Sequence, residues 1–145
     1  MADTFTLELV TPLRQVMRET VSEAHIPVSG GYVGVLPGHT PVLAEMGNGE
    51  LTYTAGNRVH SCTAMGGFVE ILADRVIVLA DAAERAEEID VARAKASRDR
   101  AQKRLANAND PNVDWKRAQA SLERAQVRLQ VSEKAGAASV TASNH

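Results

Sequence analysis

Hydrophobic and polar residues alternate along the first part of the chain with the period of a β-strand. Phe5, Leu7 and Leu9 alternate with polar neighbours, and Val33 and Val35 repeat the pattern. Such alternation is typical of strands with one buried face. The uninterrupted apolar run 76–79 predicts a strand covered on both faces. Glycine, proline and asparagine turn signals recur about every ten residues, so we predict an antiparallel sandwich or barrel of about eight to ten strands.

Near residue 90 the pattern changes to that of α-helices. Asp90 precedes a run of strong helix formers over 91–106, and its carboxylate is placed to cap the first turn. Pro111 biases the residue before it away from helical geometry and so predicts a turn. A second helix is expected to begin after the cap residue Asp114 and to run to about Lys134. The short connection predicts a helical hairpin.

Each predicted helix carries one narrow stripe of small and apolar residues. Alanine allows close helix packing but buries little surface, at about 25 cal/mol per Å². We therefore expect a hairpin that opens at small cost, and a permanently docked appendage is the alternative. The stripe residues, at steps of three, four or seven, are Val91, Ala94, Ala101 and Leu105 on the first helix and Trp115, Ala118, Leu122, Ala125 and Leu129 on the second.

Charge divides the chain at the same point. Residues 1–88 carry 5 Lys and Arg against 12 Asp and Glu, a net charge of -7, and the remainder carries 11 against 6, a net charge of +5, which sum to the -2 of the whole. We predict an N-terminal β domain over 1–88, a helical hairpin over 89–135 and a disordered tail over 136–145 that begins at Gly136. No apolar stretch predicts a direct membrane span.

The sequence offers no apparatus for catalysis. The glycine-rich stretch 30–38 lacks a phosphate-loop lysine, because Lys95 is the first lysine of the chain. The histidines are scattered, and Cys62 is the single cysteine, so we predict no metal site and no disulfide. For His39 we prefer a role in fixing its loop. We expect a protein that is not an enzyme.

Two rows of arginines make the helices a candidate anion-binding surface. Guanidinium groups match phosphate oxygens, and nearby Glu84 and Asp90 could accept hydrogen bonds from a sugar or a base. The alternatives are merely solvated helix faces and a nucleic-acid adaptor, which the modest hairpin charge of +5 and its single aromatic residue disfavour. The rows, each spaced by seven and then four, are Arg93, Arg100 and Arg104 on the first helix and Arg117, Arg124 and Arg128 on the second.

Several motifs in register resemble the epsilon subunit of bacterial F-type ATP synthase. They are GVLPGHTP at 34–41, GGFVE at 66–70, VLAD at 78–81, AERAEEID at 83–90 and VDWKRA at 113–118. The resemblance covers about residues 4 to 134. It implies an α+β fold with a ten-stranded antiparallel β-sandwich followed by an αα-hairpin, in agreement with the periodicity.

The resemblance implies a non-catalytic rotor subunit in the central stalk. Its sandwich would bind the gamma subunit and the c-ring of the membrane sector, and would help to couple proton or sodium transport to ATP synthesis. The hairpin would regulate ATP hydrolysis through the alpha and beta subunits. Location would be peripheral, at the cytoplasmic face of the bacterial plasma (inner) membrane. A free-standing nucleotide-sensing module is the alternative function.

The resemblance also implies two groups of binding residues. Residues 89–94 match the family's I/L-D-x-x-R-A motif, which some members use to bind ATP. No cofactor would be required, and ATP would be a regulatory ligand. The loop over 29–39 would approach the c-ring. The implied nucleotide site is Glu84, Asp90, Arg93, Arg100, Arg124 and Arg128, and the implied interface with the c-ring and gamma is Tyr32, Val33, Leu36 and His39.

Overall fold

Ten strands and two helices follow one another in the order predicted. The structure is a computed structural model that describes residues 3–107 and 109–135. A 3-10 turn over Ala86–Glu88 connects the last strand to the first helix. The elements are β1 (Phe5–Val10), β2 (Gln15–Val21), β3 (Glu23–Val28), β4 (Gly31–Val35), β5 (Val42–Glu45), β6 (Asn48–Ala55), β7 (Arg58–Met65), β8 (Phe68–Ile71), β9 (Arg75–Leu79), β10 (Ala82–Arg85), α1 (Val91–Ala106) and α2 (Trp115–Ser132).

The strands form two five-stranded sheets that enclose one apolar core. The first sheet has the order β2-β1-β9-β8-β5 and the second has the order β10-β7-β6-β3-β4. The predicted sandwich is confirmed, but the expectation of a wholly antiparallel one is wrong for one pair, because β1 and β9 run parallel. These two strands are far apart in sequence, so no tight hairpin dictates their direction.

The core follows from the alternation in the sequence. Phe5, Leu7 and Leu9 are all buried, as their period of two predicts. The expectation that the run 76–79 is covered on both faces is wrong within the described residues. Val76 and Val78 are fully buried, whereas 55% of Leu79 is exposed on the outer face of the first sheet. The outer face of the first sheet therefore exposes an apolar side chain.

Residues 29–39, which the resemblance gives as a loop that approaches the c-ring, contain a strand. Residues 31–35 form β4, which pairs with β3 and occupies the edge of the second sheet. The strand indicated by the alternation at Val33 and Val35 is therefore confirmed, and it lies within the segment that the resemblance gives as a loop. A turn at Gly30 precedes the strand, and the loop that carries His39 follows it, held where the amide of Gly38 donates to the carbonyl of Ala73 at 2.7 Å.

Both helices begin at the predicted cap residues. Oδ1 of Asp90 accepts a hydrogen bond from the amide of Arg93 at 3.0 Å, and Oδ1 of Asp114 accepts one from Arg117 at 3.1 Å. Each cap satisfies an amide that the first helical turn leaves without a partner. The predicted first helix over 91–106 is confirmed, and the second ends at Ser132, near the predicted end.

Alanines form the centre of the contact between the two helices. Ala94, Ala101, Ala118 and Ala125 are buried, as the stripes predict. The prediction is wrong at the first residue of each stripe, because 39% of Val91 and 52% of Trp115 are exposed. The predicted stop at Gly136 and the predicted disordered tail lie outside the described residues.

Helix α2 packs the hairpin against the second sheet, on β6 and β7. Its apolar contact is a small cluster of Val131 with Ala86 and Ile89, separate from the sandwich core, with Val127 half-buried beside it. Polar contacts to Glu50 of β6 surround the cluster. Gln130 Nε2 donates to Glu50 Oε1 at 3.2 Å, and Lys134 Nζ lies 3.6 Å from Glu50 Oε2.

Candidate functional site

A cleft of about 220 Å³ lies between β10 and the hairpin. Three elements meet there, because β10 runs directly into the turn that starts α1 while α2 returns antiparallel beside it. The cleft is lined by Glu84, Asp90, Arg93, Ala94, Ser97 and Arg128. Four of the six predicted nucleotide-binding residues are therefore brought together by the docked hairpin.

An ion pair closes one side of the cleft. Arg128 Nε donates to Glu84 Oε1 at 2.8 Å, and each side chain is about one third exposed, at 30% and 32%. The hydroxyl of Thr63 accepts a hydrogen bond from the backbone amide of Glu84 at 2.9 Å and fixes β10 beneath the pair. Because the pair joins β10 to α2, it connects the sandwich to the hairpin.

The first turn of α1 supplies the opposite side. Asp90 serves there as the helix cap, so one of its oxygens is already bonded to the amide of Arg93. Within the described parts of the chain, the guanidinium of Arg93 has no ion pair or hydrogen bond, and this leaves its five donors available to an anion. Ala94 is buried against the cleft, where a larger side chain would fill the space.

The two remaining predicted residues lie outside the cleft. Arg100 Nη2 donates to the hydroxyl of Ser97 at 3.2 Å, and Arg124 Nη2 donates to the hydroxyl of Ser121 at 3.3 Å. Ser97 itself lines the cleft, so Arg100 reaches its rim through that contact. Sequence reasoning missed Ser97, although its position four residues after Arg93 puts both on one helical face.

A carboxylate of the connecting turn is firmly held at the base of the hairpin. Arg14 Nη2 donates to Glu88 Oε1 at 3.0 Å, and the backbone amide of Arg85 donates to the same oxygen at 2.9 Å. These two hydrogen bonds, the one from Arg14 first, lower the pKa of Glu88 below its ordinary value. The turn is thus tied to the sandwich independently of the two helices.

The outer face of the first sheet carries a second candidate surface. Leu43, Phe68 and Leu79 are 74%, 57% and 55% exposed, and Phe68 pairs directly with Leu79 across β8 and β9. A groove of about 380 Å³ runs beside Phe68 and Leu79 and includes Val10 and Pro12. We call Leu43, Phe68 and Leu79 the outer apolar patch. Exposed apolar groups gathered in this way are typical of protein-binding surfaces.

The predicted interface residues lie on and after the edge strand β4. Tyr32 and Leu36 are each 60% exposed, and Val33 is half-buried against the core. His39 lies in the loop beyond β4, where its Nδ1 is 2.6 Å from the carbonyl oxygen of Thr40. This contact agrees with a loop-fixing role for His39. Tyr32 and Leu36 are thus accessible, whereas Val33 contributes mainly to packing.

Neither a membrane-crossing helix nor a metal cluster is found in the part of the chain that the structure describes. Among residues 3–107 and 109–135, no helix combines the length and apolarity needed to cross a bilayer. No group of three or more His, Cys, Asp or Glu side chains in those ranges is arranged to hold a metal ion.

The architecture defines a class of proteins in which a ten-stranded sandwich carries a C-terminal helical hairpin. The family model described as ATP synthase, Delta/Epsilon chain, beta-sandwich domain matches residues 4–86, and the one described as ATP synthase, Delta/Epsilon chain, long alpha-helix domain matches residues 87–133. The chain belongs to the delta/epsilon chain family of ATP synthases. It is a rotor subunit of the epsilon type and a non-catalytic part of the complex.

Relatives from several bacteria are similar over most of the chain. The ATP synthase epsilon chain of Syntrophobacter fumaroxidans is 48% identical over 134 residues, 92% of this chain and 99% of that protein. The epsilon chain of Solibacter usitatus is 51% identical over 107 residues, 74% of this chain and 80% of that protein. A chain in the structure of the Euglena gracilis mitochondrial ATP synthase, described as OSCP/F1/c-ring, shares the fold with a TM-score of 0.77 at 20% identity, over 92% of this chain and 83% of that one.

Proposed function

We propose that the sandwich anchors this subunit to the gamma subunit and the c-ring, and that the hairpin controls ATP hydrolysis according to whether ATP occupies the cleft. The subunit would sit peripherally at the cytoplasmic face of the bacterial plasma membrane and help to couple proton or sodium transport to ATP synthesis. The observation that carries the proposal is the composition of the cleft, whose walls come from both the sandwich and the hairpin.

A ligand in this cleft would act on the position of the hairpin. Arg93 belongs to α1, Arg128 to α2 and Glu84 to β10, so a nucleotide that contacts all three has its full set of partners only in the docked state. A ligand shifts a conformational equilibrium by its difference in affinity for the two states. ATP would therefore stabilise docking, and its loss would release the hairpin toward the alpha and beta subunits.

The docking contact is weak enough for such control. Its apolar part consists of one fully buried valine, one alanine and one isoleucine. Its polar contacts include the Arg128–Glu84 pair, which is partly exposed on both sides, and the contact of the half-exposed Lys134 with Glu50, whose side chain is 10% exposed. Partly exposed ion pairs contribute about 0 to 1 kcal/mol each. A hairpin held in this way exchanges between docked and released states with a difference of a few kcal/mol, which is within the reach of one bound ligand.

The cleft accommodates part of a nucleotide. At about 220 Å³ it is smaller than the roughly 300 to 1,000 Å³ of pockets that enclose a whole drug-sized ligand. We infer that the phosphates contact Arg93 and Arg128 inside the cleft while the rest of the nucleotide lies toward Arg100 and Arg124 at its rim. Phosphate binding at Arg128 requires its ion pair with Glu84 to open, which limits the affinity.

Calorimetric titration of ATP into the full chain tests the ligand. Saturable heat is expected, and Arg93→Ala should weaken binding about tenfold, since a charge-assisted contact is lost. Arg104→Ala is the matched control, because Arg104 lies on the same helix but does not line this cleft. Absence of saturable heat, or equal weakening by both substitutions, would refute ATP as the ligand of this cleft.

ATP hydrolysis by membranes tests the regulatory role. Activity is compared between complexes with the intact chain and with a chain that ends after Glu88, at low and at high ATP. We expect the truncated chain to relieve inhibition most at low ATP, when the hairpin is released. Equal activity of the two complexes at both ATP concentrations would exclude an inhibitory hairpin while leaving family membership intact.

The surfaces on the sandwich divide between two partners. The outer apolar patch suits a permanent apolar contact with the gamma subunit, and the exposed edge at Tyr32 and Leu36 suits the c-ring. Phe68→Asp should reduce recovery of gamma in a pull-down but preserve recovery of the c-ring, and Leu36→Asp should have the opposite effect. If both substitutions reduced recovery of the same partner, this division would be wrong.

A further inference from the structure

A second cavity, of about 240 Å³, lies between the sandwich and the C-terminal end of the hairpin. It is distinct from the nucleotide cleft, since the two have no lining residue in common. Strand β7 forms its floor with Cys62 and Ser61, and the ring of His60 stacks on Tyr53 at 5.1 Å between centroids. Lys134, just beyond α2, covers one side.

The cavity concentrates positive charge on an acidic domain. Arg58, Arg85 and Lys134 line it with Glu87, so these four lining groups carry a net charge of +2, and Glu50 adds a second carboxylate 3.6 Å from Lys134. Residues 1–88 as a whole carry only 5 Lys and Arg, and two of the five arginines lie here. Such a concentration against a net charge of -7 is the electrostatic signature of an anion site.

The arginine donors in this cavity are available to a ligand, whereas the Lys134 ammonium lies 3.6 Å from Glu50 Oε2 and would be shared between that carboxylate and the anion. Among the described residues, Arg58 has no ion pair or hydrogen bond. Arg85 is oriented by its Nε, which donates to the carbonyl of Val16 at 3.2 Å, while its Nη1 lies 3.9 Å from Glu87, beyond hydrogen-bond distance. The Glu87 side chain is 65% exposed and is free to turn toward solvent when an anion enters.

We propose that this cavity binds inorganic phosphate, held by Arg58 and Arg85 from the sandwich and by Lys134 from the hairpin. The volume suits a small oxyanion with a few waters and is below that of pockets that enclose larger ligands. The guanidinium forks match its oxygens, the Lys134 ammonium supplies a point charge, and the Ser61 hydroxyl can donate from the floor. Because Lys134 arrives with the hairpin, bound phosphate also favours docking.

Phosphate titration by calorimetry into the full chain, at constant ionic strength set with chloride, tests the site. Saturable binding to the wild-type chain is expected, about tenfold weaker in Arg58→Ala and in Lys134→Gln. Arg75→Ala is the matched control, an exposed arginine on β9 that does not line the cavity. Arg58 is exposed and without a partner in the described residues, so its replacement should not disturb folding.

Arg93→Ala separates this site from the nucleotide cleft. Phosphate binding should be unchanged in Arg93→Ala. Failure of the ATP experiment would therefore leave the phosphate site standing, and failure of the phosphate experiment would leave the nucleotide cleft standing. No saturable phosphate heat, equal affinities for wild type and Arg58→Ala, or loss of phosphate binding in Arg93→Ala would each overturn it. Hydrogen exchange provides a second readout, because phosphate should slow exchange in the last turn of α2 and should not do so in Lys134→Gln.

Discussion

Replacing Val131 with alanine should release the hairpin while the sandwich stays folded. Val131 is fully buried, and its cluster with Ala86 and Ile89 is separate from the sandwich core. The substitution removes two methyl groups, each of which contributes about 0.8 kcal/mol when buried, and leaves a small cavity. The free energy of docking should therefore weaken by roughly 2 kcal/mol. That corresponds to about a 30-fold rise in the released fraction.

Hydrogen exchange read by mass spectrometry measures this effect directly. Released from the sheet, helices of 16 and 18 residues joined by alanine contacts are marginal in water, so α2 amides should exchange about 30-fold faster in Val131→Ala. Strand amides of β1 and β9 should be unaffected. The matched control is Val91→Ala, which removes the same atoms from a side chain that is 39% exposed.

Two results would refute this reasoning. If α2 exchanged at the same rate in Val131→Ala and Val91→Ala, the apolar cluster would not hold the hairpin, and the polar contacts to Glu50 and Glu84 would have to do so. If the strands lost protection together with α2, the hairpin and the sandwich would unfold as one cooperative unit, which contradicts the separation of their cores.

Three further predictions concern the sandwich and its connecting turn. The pKa of Glu88 is lowered, so its contribution to stability is fully present above the ordinary carboxyl pKa of about 4.3 and is lost as pH falls below that value. In Glu88→Gln the midpoint of thermal unfolding should therefore depend less on pH over that acid range. Gly67 has φ +92° and an added Cβ would overlap a carbonyl of β9, so Gly67→Ala should cost more than about 3 kcal/mol in urea unfolding, whereas Gly56→Ala, at φ +62° with open space, should cost about 1 kcal/mol. Burial raises the pKa of Cys62 to about 12, so a thiol reagent at pH 8 (about four units below that pKa) should label it only after unfolding, as kinetics with and without urea would report.

The local structure could be predicted from the sequence because its causes are local. Asp90 and Asp114 each precede a run of helix formers, and the carboxylate of each caps the amide three residues later. The alternation at Phe5 and Leu7 likewise fixes which face of β1 is buried. Direction of pairing has no such local cause, and for this reason the parallel pair of β1 and β9 was not predicted.

The candidate site could be predicted only in part, because helix periodicity gives a face but not the angle at which that face meets the sheet. Arg93 and Arg128 line the cleft, whereas Arg100 and Arg124, on the same predicted rows, bond to serines one turn back. Glu84 meets Arg128 across 44 residues of sequence through the docking of α2. The cavity beneath Lys134 depends on the same docking, so no spacing in the sequence indicated it.

The wrong expectation for residues 76–79 has a physical meaning. A continuous apolar run predicts a strand covered on both faces, yet Leu79 is exposed in the chain alone. The pattern of apolar residues reflects the environment of the strand in the assembled complex. A partner subunit can therefore bury the second face of the sheet when the chain itself does not. Leu43 and Phe68 extend the same exposed face, which supports a partner that stays bound.

The two surfaces of the sandwich therefore differ in how firmly they hold what covers them. The first sheet presents large apolar side chains whose removal from water, at about 25 cal/mol per Å², favours a lasting contact with another subunit. The second sheet holds the hairpin through one buried valine and a few polar pairs, of which the partly exposed Arg128–Glu84 pair is worth about 1 kcal/mol or less. The proposed control by ATP requires this asymmetry, because a hairpin that responds to a ligand must be able to leave a sandwich that remains attached.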